Sequence, residues 1–206
     1  MTITTVVFDL GGVLIDWDPR YLYRQLLATD HAIEAFLDEV GFAEWNHDVD
    51  AGKSTWADAV DALSATHPHH RHLIEAYPTR FGETLAGPVA GSVDVLRDLH
   101  ARGVRLLALT NWSVETFPVA LERFDFLDLF EDIVVSGAEG VAKPDPAIFD
   151  LLLDRHGLQP AETIFVDDKQ VNLDAADRAG LAVRLFIDAV TLRADLESAG
   201  VLDPLA

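Results

Sequence analysis

Cysteine is absent from this chain of 206 residues, and methionine occurs once. That absence excludes disulfides, thiolate nucleophiles and Cys-bound zinc or iron centres. Positive charge is also scarce, with 15 Lys and Arg against 35 Asp and Glu and a formal net charge of -20. Such a surface repels nucleic acid and anionic membranes at long range, so neither is expected as a partner. It repels anionic small molecules equally, so a site for a phosphorylated ligand must supply its own fixed positive charge. Long hydrophobic runs are missing too, and nothing approaches the roughly 20 residues that cross a bilayer. The stretch from Met1 to Asp9 has no basic region and reaches an Asp after a very short apolar run, unlike a signal peptide. These absences fit a cytoplasmic address.

What is present suffices for a packed core: 50% of the residues are hydrophobic and only 24% are charged, so long disorder is not expected. Five short apolar runs read as buried strands: 3–8, 104–109, 133–135, 164–166 and 182–187. Continuous Val, Ile and Leu without alternation marks parallel strands covered on both faces. Helix patterns lie between them. Ser92 is placed to cap a helix carrying Val93, Leu96, Leu99 and His100 that Gly103 ends, and Pro146 to open one carrying Phe149, Leu152 and Leu153 that Gly157 ends. A third runs from Asn172 to Ala179, closed by Gly180. The alternation predicts an α/β fold, a doubly wound parallel sheet.

Residues 17–88 break the alternation, with Tyr21, Leu22, Leu26 and Leu27 on one helical face, Trp56, Ala59, Val60 and Leu63 on another, and no strand signal. The expected organisation is therefore an α/β core of residues 1–16 and 89–206 with a helical domain, 17–88, inserted after the first strand.

In open α/β sheets the ligand sits at the carboxyl ends of the strands. The first strand ends in Asp9-Leu10-Gly11-Gly12-Val13, the second in Thr110-Asn111 and the fourth in Asp167-Asp168, while Lys143-Pro144-Asp145-Pro146 lies between the last two. Taken singly, each Asp reads as a helix cap or turn former and Lys143 as a solvated loop lysine. Taken in order, they bring three carboxylates, a hydroxyl and one lysine to a single edge.

This ordered set resembles the four motifs of the haloacid dehalogenase-like (HAD) hydrolase superfamily. Phe8 to Leu14 resembles the first motif, Leu109 to Asn111 the second, Lys143 to Phe149 the third and Phe165 to Asn172 the fourth, so the likeness covers most of the chain. It implies a Rossmann-like core with a helical cap at 17–88, and a phosphatase acting on a small phosphorylated molecule. Asp9 would be the nucleophile, forming an aspartyl-phosphate that water hydrolyses. Magnesium would be held by Asp9, Asp167, Asp168 and the Gly11 carbonyl. Lys143, the Thr110 hydroxyl and the backbone N–H groups of Leu10, Gly11 and Asn111 would face the phosphoryl oxygens.

One position departs from the family. Most of its phosphatases carry a second Asp two residues after the nucleophile, which protonates the leaving alkoxide and then activates water; here that position is Gly11. A substitute such as Asp16, Asp18 or His47 reaches in, or the substrate needs little protonation, or catalysis is weak or lapsed. The second reading, combined with the first, is preferred: the first and fourth motifs resemble a subset of the superfamily that includes a bacterial glucose-1-phosphate phosphatase, whose anomeric oxygen is a good leaving group. The alternatives are a 2-haloacid dehalogenase, which needs no metal and against which the paired Asp167 and Asp168 argue, and a non-catalytic phospho-ligand-binding protein. The run from His67 to His72 holds four of the eight histidines and reads as a solvated loop. Trp17 and Trp112 flank the first two motifs and are candidates to line the pocket.

Overall fold

Residues 2–203 are described by the computed structural model. The chain enters through strand β1 (Thr5–Phe8), then β2 (Ile15–Trp17), and passes into helices α1 (Pro19–Tyr23), α2 (Asp30–Glu39), α3 (Phe42–Asp50), α4 (Trp56–Thr66) and α5 (Arg71–Thr79). It returns through β3 (Leu85–Pro88), then alternates: α6 (Ser92–Ala101), β4 (Arg105–Thr110), α7 (Phe117–Arg123), β5 (Asp132–Val135), α8 (Ser136–Glu139) and α9 (Pro146–His156). It ends with β6 (Thr163–Asp167), α10 (Gln170–Arg178), β7 (Ala182–Leu185) and α11 (Ala189–Ser198).

Five strands form one parallel sheet in the order β5-β4-β1-β6-β7. The continuous apolar runs follow from its two covered faces. Val6 and Phe8 belong to the hydrophobic cluster that contains Leu96 and Leu99 of α6 and Leu192 and Leu196 of α11. Val7 belongs to a second cluster with Phe149 and Leu152 of α9 and Leu173 of α10. Each full burial of such a side chain contributes about 1.5–3 kcal/mol, so neither alternate set can be polar. The register sets Phe8 opposite both Ala108 and Val166. The residues that follow β1, β4 and β6 therefore emerge at the same edge.

The expected strands and the doubly wound α/β sheet are present, and the differences are local. The stretch 17–88 was expected to contain no strand, yet Trp17 ends β2 and Leu85–Pro88 form β3, an antiparallel pair with an irregularity between Asp16 and Trp17. The pair is short, half exposed and contains Gly87 and Pro88, so it leaves neither alternation nor an apolar run. It ties together the two passages between the sheet and the helices. Gly91, not Ser92, is the cap of α6; its φ of 77° suits glycine, and Ser92 is already helical and buried. Helix α10 starts at Gln170, two residues before expectation.

Helices α1 to α5 carry an aromatic cluster of their own. Trp56 packs edge-on to Trp45 and Tyr77, with ring centroids 5.0 and 5.2 Å apart, and Phe42 meets Tyr77 at 4.9 Å. The series continues through Phe81 to Trp112, 5.6 Å away in the loop after β4. Among the described residues no helix is long and apolar enough to cross a membrane.

Candidate active site

Asp9 follows β1 directly, and its N–H continues the strand pairing by donating to the Val166 carbonyl at 2.8 Å. Gly12 explains part of what comes next. Its φ is 79°, and a Cβ there would stand 2.7 Å from Asp168 Oδ2, so the backbone passes close under that carboxylate. Gly11 is different: its φ is not positive, and a Cβ would meet nothing within 4 Å.

The structure brings Lys143 between two of the carboxylates. Its ammonium is 3.0 Å from Asp9 Oδ1 and 2.7 Å from Asp167 Oδ2, and only 1% of the residue is exposed. The loop carrying it is clamped by Asn111, whose side-chain amide donates to the Lys143 carbonyl at 2.8 Å and accepts from the Lys143 N–H at 2.9 Å. Asp167 also accepts two 3.0 Å bonds from Asn172 Nδ2 and a 2.8 Å bond from the Lys169 N–H. Asn172 lies in the fourth-motif segment, yet its part in fixing Asp167 is not readable from spacing alone. Of the expected backbone donors, the Leu10 N–H is bonded to Asp9 Oδ1 at 2.7 Å.

Oxygen atoms of Asp9, Asp167 and Asp168 all lie within 4.8 Å of one another. Burial pushes the Asp9 carboxyl up to about 7; Lys143 opposes the shift, and Asp167 and Asp168 add to it. Burial works against the charge on Lys143, but Asp9 and Asp167 outweigh it and hold the ammonium above its usual range. One fixed cation thus faces three clustered carboxylates. This is a donor set of hard oxygens with excess negative charge, and it fits a divalent cation such as Mg²⁺.

A cavity of about 570 Å³ opens over this floor, which Asp9, Gly11, Thr110, Asn111, Lys143 and Asn172 line. Trp17 and Trp112 also line it, as does Lys169. The helical segment also contributes to the lining, with Arg20, Asn46, His47, Asp50 and Tyr77. Two of the three expected substitute acids are engaged elsewhere. Asp16 accepts from the Tyr21 hydroxyl at 2.9 Å, and Asp18 caps α1 and pairs with Arg20 at 3.2 Å. Neither lines the cavity, whereas His47 does. Asp50, on the same helix, had no signal in the sequence. The histidine run is not simply solvated: His69 and His70 each reach Glu39, at 3.0 and 3.2 Å, away from the cavity.

Comparison with known proteins agrees with the resemblance. A family model described as haloacid dehalogenase-like hydrolase matches residues 3–180. The sesquiterpene phosphatase of Aspergillus oryzae is 30% identical over 182 residues, covering 87% of this chain and 88% of that one. A phosphoglycolate phosphatase of Vibrio vulnificus is 28% identical over 193 residues, covering 87% and 82%. Among solved structures, a HAD family enzyme of Bacteroides thetaiotaomicron, in complex with magnesium and inorganic phosphate, superposes with a TM-score of 0.67 at 24% identity, covering 90% of this chain and 95% of that one. The L-2-haloacid dehalogenase of Xanthobacter autotrophicus shares the fold with a TM-score of 0.64 at 19% identity, covering 98% and 85%. With its sheet, its motif-bearing edge and a family match across most of its length, this chain belongs to the haloacid dehalogenase-like hydrolases.

Proposed function

We propose that the chain is a magnesium-dependent phosphatase that removes phosphate from a small organic monoester through an aspartyl-phosphate on Asp9. The observation that carries the reading is Asp9 at the cavity floor, 3.0 Å from Lys143 and within a cluster of three carboxylates. A carboxylate approaching a phosphate dianion meets strong charge repulsion, and Lys143 is the fixed positive charge that the acidic surface demanded. Asp9, Asp167, Asp168 and the Gly11 carbonyl would hold Mg²⁺, which when bound neutralises charge on nucleophile and phosphoryl oxygens alike.

The chain's own groups divide the remaining work. Asp9 attacks phosphorus, splitting one hard displacement into two easier ones. Thr110, which is 1% exposed at the end of β4, offers its hydroxyl to a phosphoryl oxygen, and the Asn111 N–H is the matching backbone donor. The clamp that the Asn111 side chain makes on Lys143 holds the ammonium in place. Residues 1–16 and 89–206 act as the catalytic core, and 17–88 as a cap that encloses the organic group and excludes water. Asn46, whose Oδ1 is buried with no partner among the described residues, contributes to the lining from this segment. The dehalogenase reading is less well supported, because displacement at carbon needs no metal and leaves Asp168 without a task.

The test is a phosphate-release screen over sugar 1- and 6-phosphates, phosphoglycolate, an isoprenoid phosphate and an aryl phosphate, with magnesium and with excess chelator. Turnover of at least one ester that depends on magnesium and is lost in Asp9→Asn is expected. Full turnover in chelator, or multiple turnover above about one per cent of wild type in Asp9→Asn, would remove the mechanism.

A further inference from the structure

The missing proton donor has a replacement on the cap. We infer that Asp50 is the acid–base residue of this site: it gives its proton to the leaving alcohol and afterwards takes one from the attacking water. The inference deepens the phosphatase reading and rests on it.

Gly11 carries no acid where the family resemblance places one, and α3 contributes to the lining of the same cavity. Asn46, His47 and Asp50 of α3 all line the cavity that Asp9 floors. Asp50 and Asp9 thus line one and the same cavity, of about 570 Å³. Asp50 is also fixed relative to the floor. Its Oδ1 accepts from the Ser113 N–H at 2.9 Å, two residues past Asn111, and its Oδ2 accepts from Asn46 Nδ2 at 2.6 Å. Its carbonyl accepts from the Ser136 hydroxyl, which in turn accepts from the Trp112 N–H at 3.0 Å. Just beyond it, Gly52 packs on Gly137 so closely that a Cβ would lie 2.8 Å from the Gly137 carbonyl. The end of α3 is thus pinned to the loop after β4 and to α8, so the carboxyl is held in one position on the cavity lining, as a positioned general acid requires.

Its protonation suits the task. Burial pushes the Asp50 carboxyl up to about 7, against the Ser113 N–H, Asn46 and the charge of Lys169, which lower it. The charged or titratable neighbours facing it are Lys169 from the loop after β6 and Tyr77 from α5. His47 is the competitor on the same helix, but the structure gives it no comparable anchoring to the loops of the sheet.

The step balances as follows. As Asp9 Oδ forms its bond to phosphorus, the bond from phosphorus to the ester oxygen breaks, and the electron pair on that oxygen takes the Asp50 proton, releasing a neutral alcohol. In the second half, water attacks phosphorus and gives its proton to the Asp50 carboxylate. The bond between Asp9 and phosphorus then breaks, freeing phosphate and restoring Asp9 and protonated Asp50.

The experiment compares an alkyl with an aryl phosphate in wild type, Asp50→Asn and His47→Gln. Because kcat/KM reports steps up to alcohol release, Asp50→Asn should lower it by about 10² to 10⁴ for the alkyl ester and by less than tenfold for the aryl ester, which leaves without a proton. Its kcat should fall for both, because the second half is shared. Equal losses of kcat/KM on both esters, no loss on the alkyl ester, or the alkyl loss appearing in His47→Gln instead would overturn the assignment. A measurement without any variant guards against misfolding: in wild type, kcat/KM across a series of esters should depend only shallowly on the basicity of the leaving alcohol, and a steep dependence would overturn it too. Failure of the phosphatase reading shows separately, as turnover surviving Asp9→Asn or chelation, and would take the Asp50 assignment with it.

Discussion

The Lys143 ammonium and the Asp9 carboxylate stand 3.0 Å apart at the bottom of the cavity, both shielded from solvent. Asp167, which is 0% exposed, shares the same ammonium. Removing the cation leaves two buried carboxylates without a counter-charge, and breaking a buried pair from one side typically costs about 3–5 kcal/mol. Lys143→Met should therefore lose both turnover and stability. The sign of its pH dependence follows from Asp9. A carboxyl whose folded-state pKa is raised contributes stability at low pH that disappears as pH rises through that value, and losing Lys143 raises it further. The urea midpoint of the variant should thus fall below wild type by more at pH 8 than at pH 5; equal deficits would show that the lysine contributes packing alone.

Magnesium should stabilise the protein even without substrate, because it binds the folded cluster and not the dispersed carboxylates of the unfolded chain. At one hundred times the dissociation constant the gain is about 2.7 kcal/mol, a rise of roughly 5–11 °C in melting temperature. Asp168 is exposed, whereas Asp9 and Asp167 are buried, so Asp168→Asn is the substitution that weakens the cluster with least damage to the fold. That variant should melt near wild type in chelator and lose most of the magnesium-dependent rise. A full rise in Asp168→Asn would place the ion elsewhere.

The sheet was legible because both of its faces are covered: Val6, Val7 and Phe8 must all be apolar, and each such run announces a strand. Its edge was legible for the same reason, since the strand ends fix where Asp9, Thr110 and Asp167 emerge. The ribbon of β2 and β3 was not, because a strand of three or four half-exposed residues has no periodicity to read. Asp50 was hidden differently. It is one of 35 acidic residues, and its bond to Ser113 spans 63 positions, so nothing local separates it from a solvated helix acid. Asp16 and Asp18 lie near Asp9 in sequence, but their partners Tyr21 and Arg20 turn them to structural use. Gly11 and Gly12 look alike in the sequence, and only the backbone shows that Gly12 alone needs to be glycine.

The raised pKa of Asp50 makes a prediction about stability. With a folded-state value of about 7 against an ordinary 3.8, the folded chain keeps a proton that the unfolded chain gives up from about pH 4 onward. This contribution is complete below that range and is lost as pH rises through 7. Asparagine does not titrate, and the same shift at Asp9 is present in both proteins and cancels. Asp50→Asn should therefore gain on wild type between pH 5 and pH 8, by on the order of 1 kcal/mol for a partly exposed carboxyl. Chemical denaturation in chelator at the two pH values measures it. A difference that stays flat would mean that Asp50 ionises normally.

Gly11 supplies the last test, because its backbone accepts a side chain. Its φ is not positive and a Cβ meets nothing within 4 Å, whereas at Gly12, with φ 79°, a Cβ would press on Asp168 Oδ2 at 2.7 Å. Gly11→Asp should fold like wild type, and Gly12→Ala should weaken both the fold and magnesium binding. If Asp50 already delivers the proton, an acid at position 11 adds little, and kcat/KM of Gly11→Asp for alkyl phosphates should stay within about tenfold of wild type. In an Asp50→Asn background the same change restores a donor to the site, so the alkyl ester should recover by about tenfold or more while the aryl ester barely moves. The two residues then behave as alternatives for one task, and their effects on the alkyl ester are far from additive. A hundredfold gain from Gly11→Asp in the wild-type background would show instead that the natural site works without a general acid, relying on leaving groups that need none.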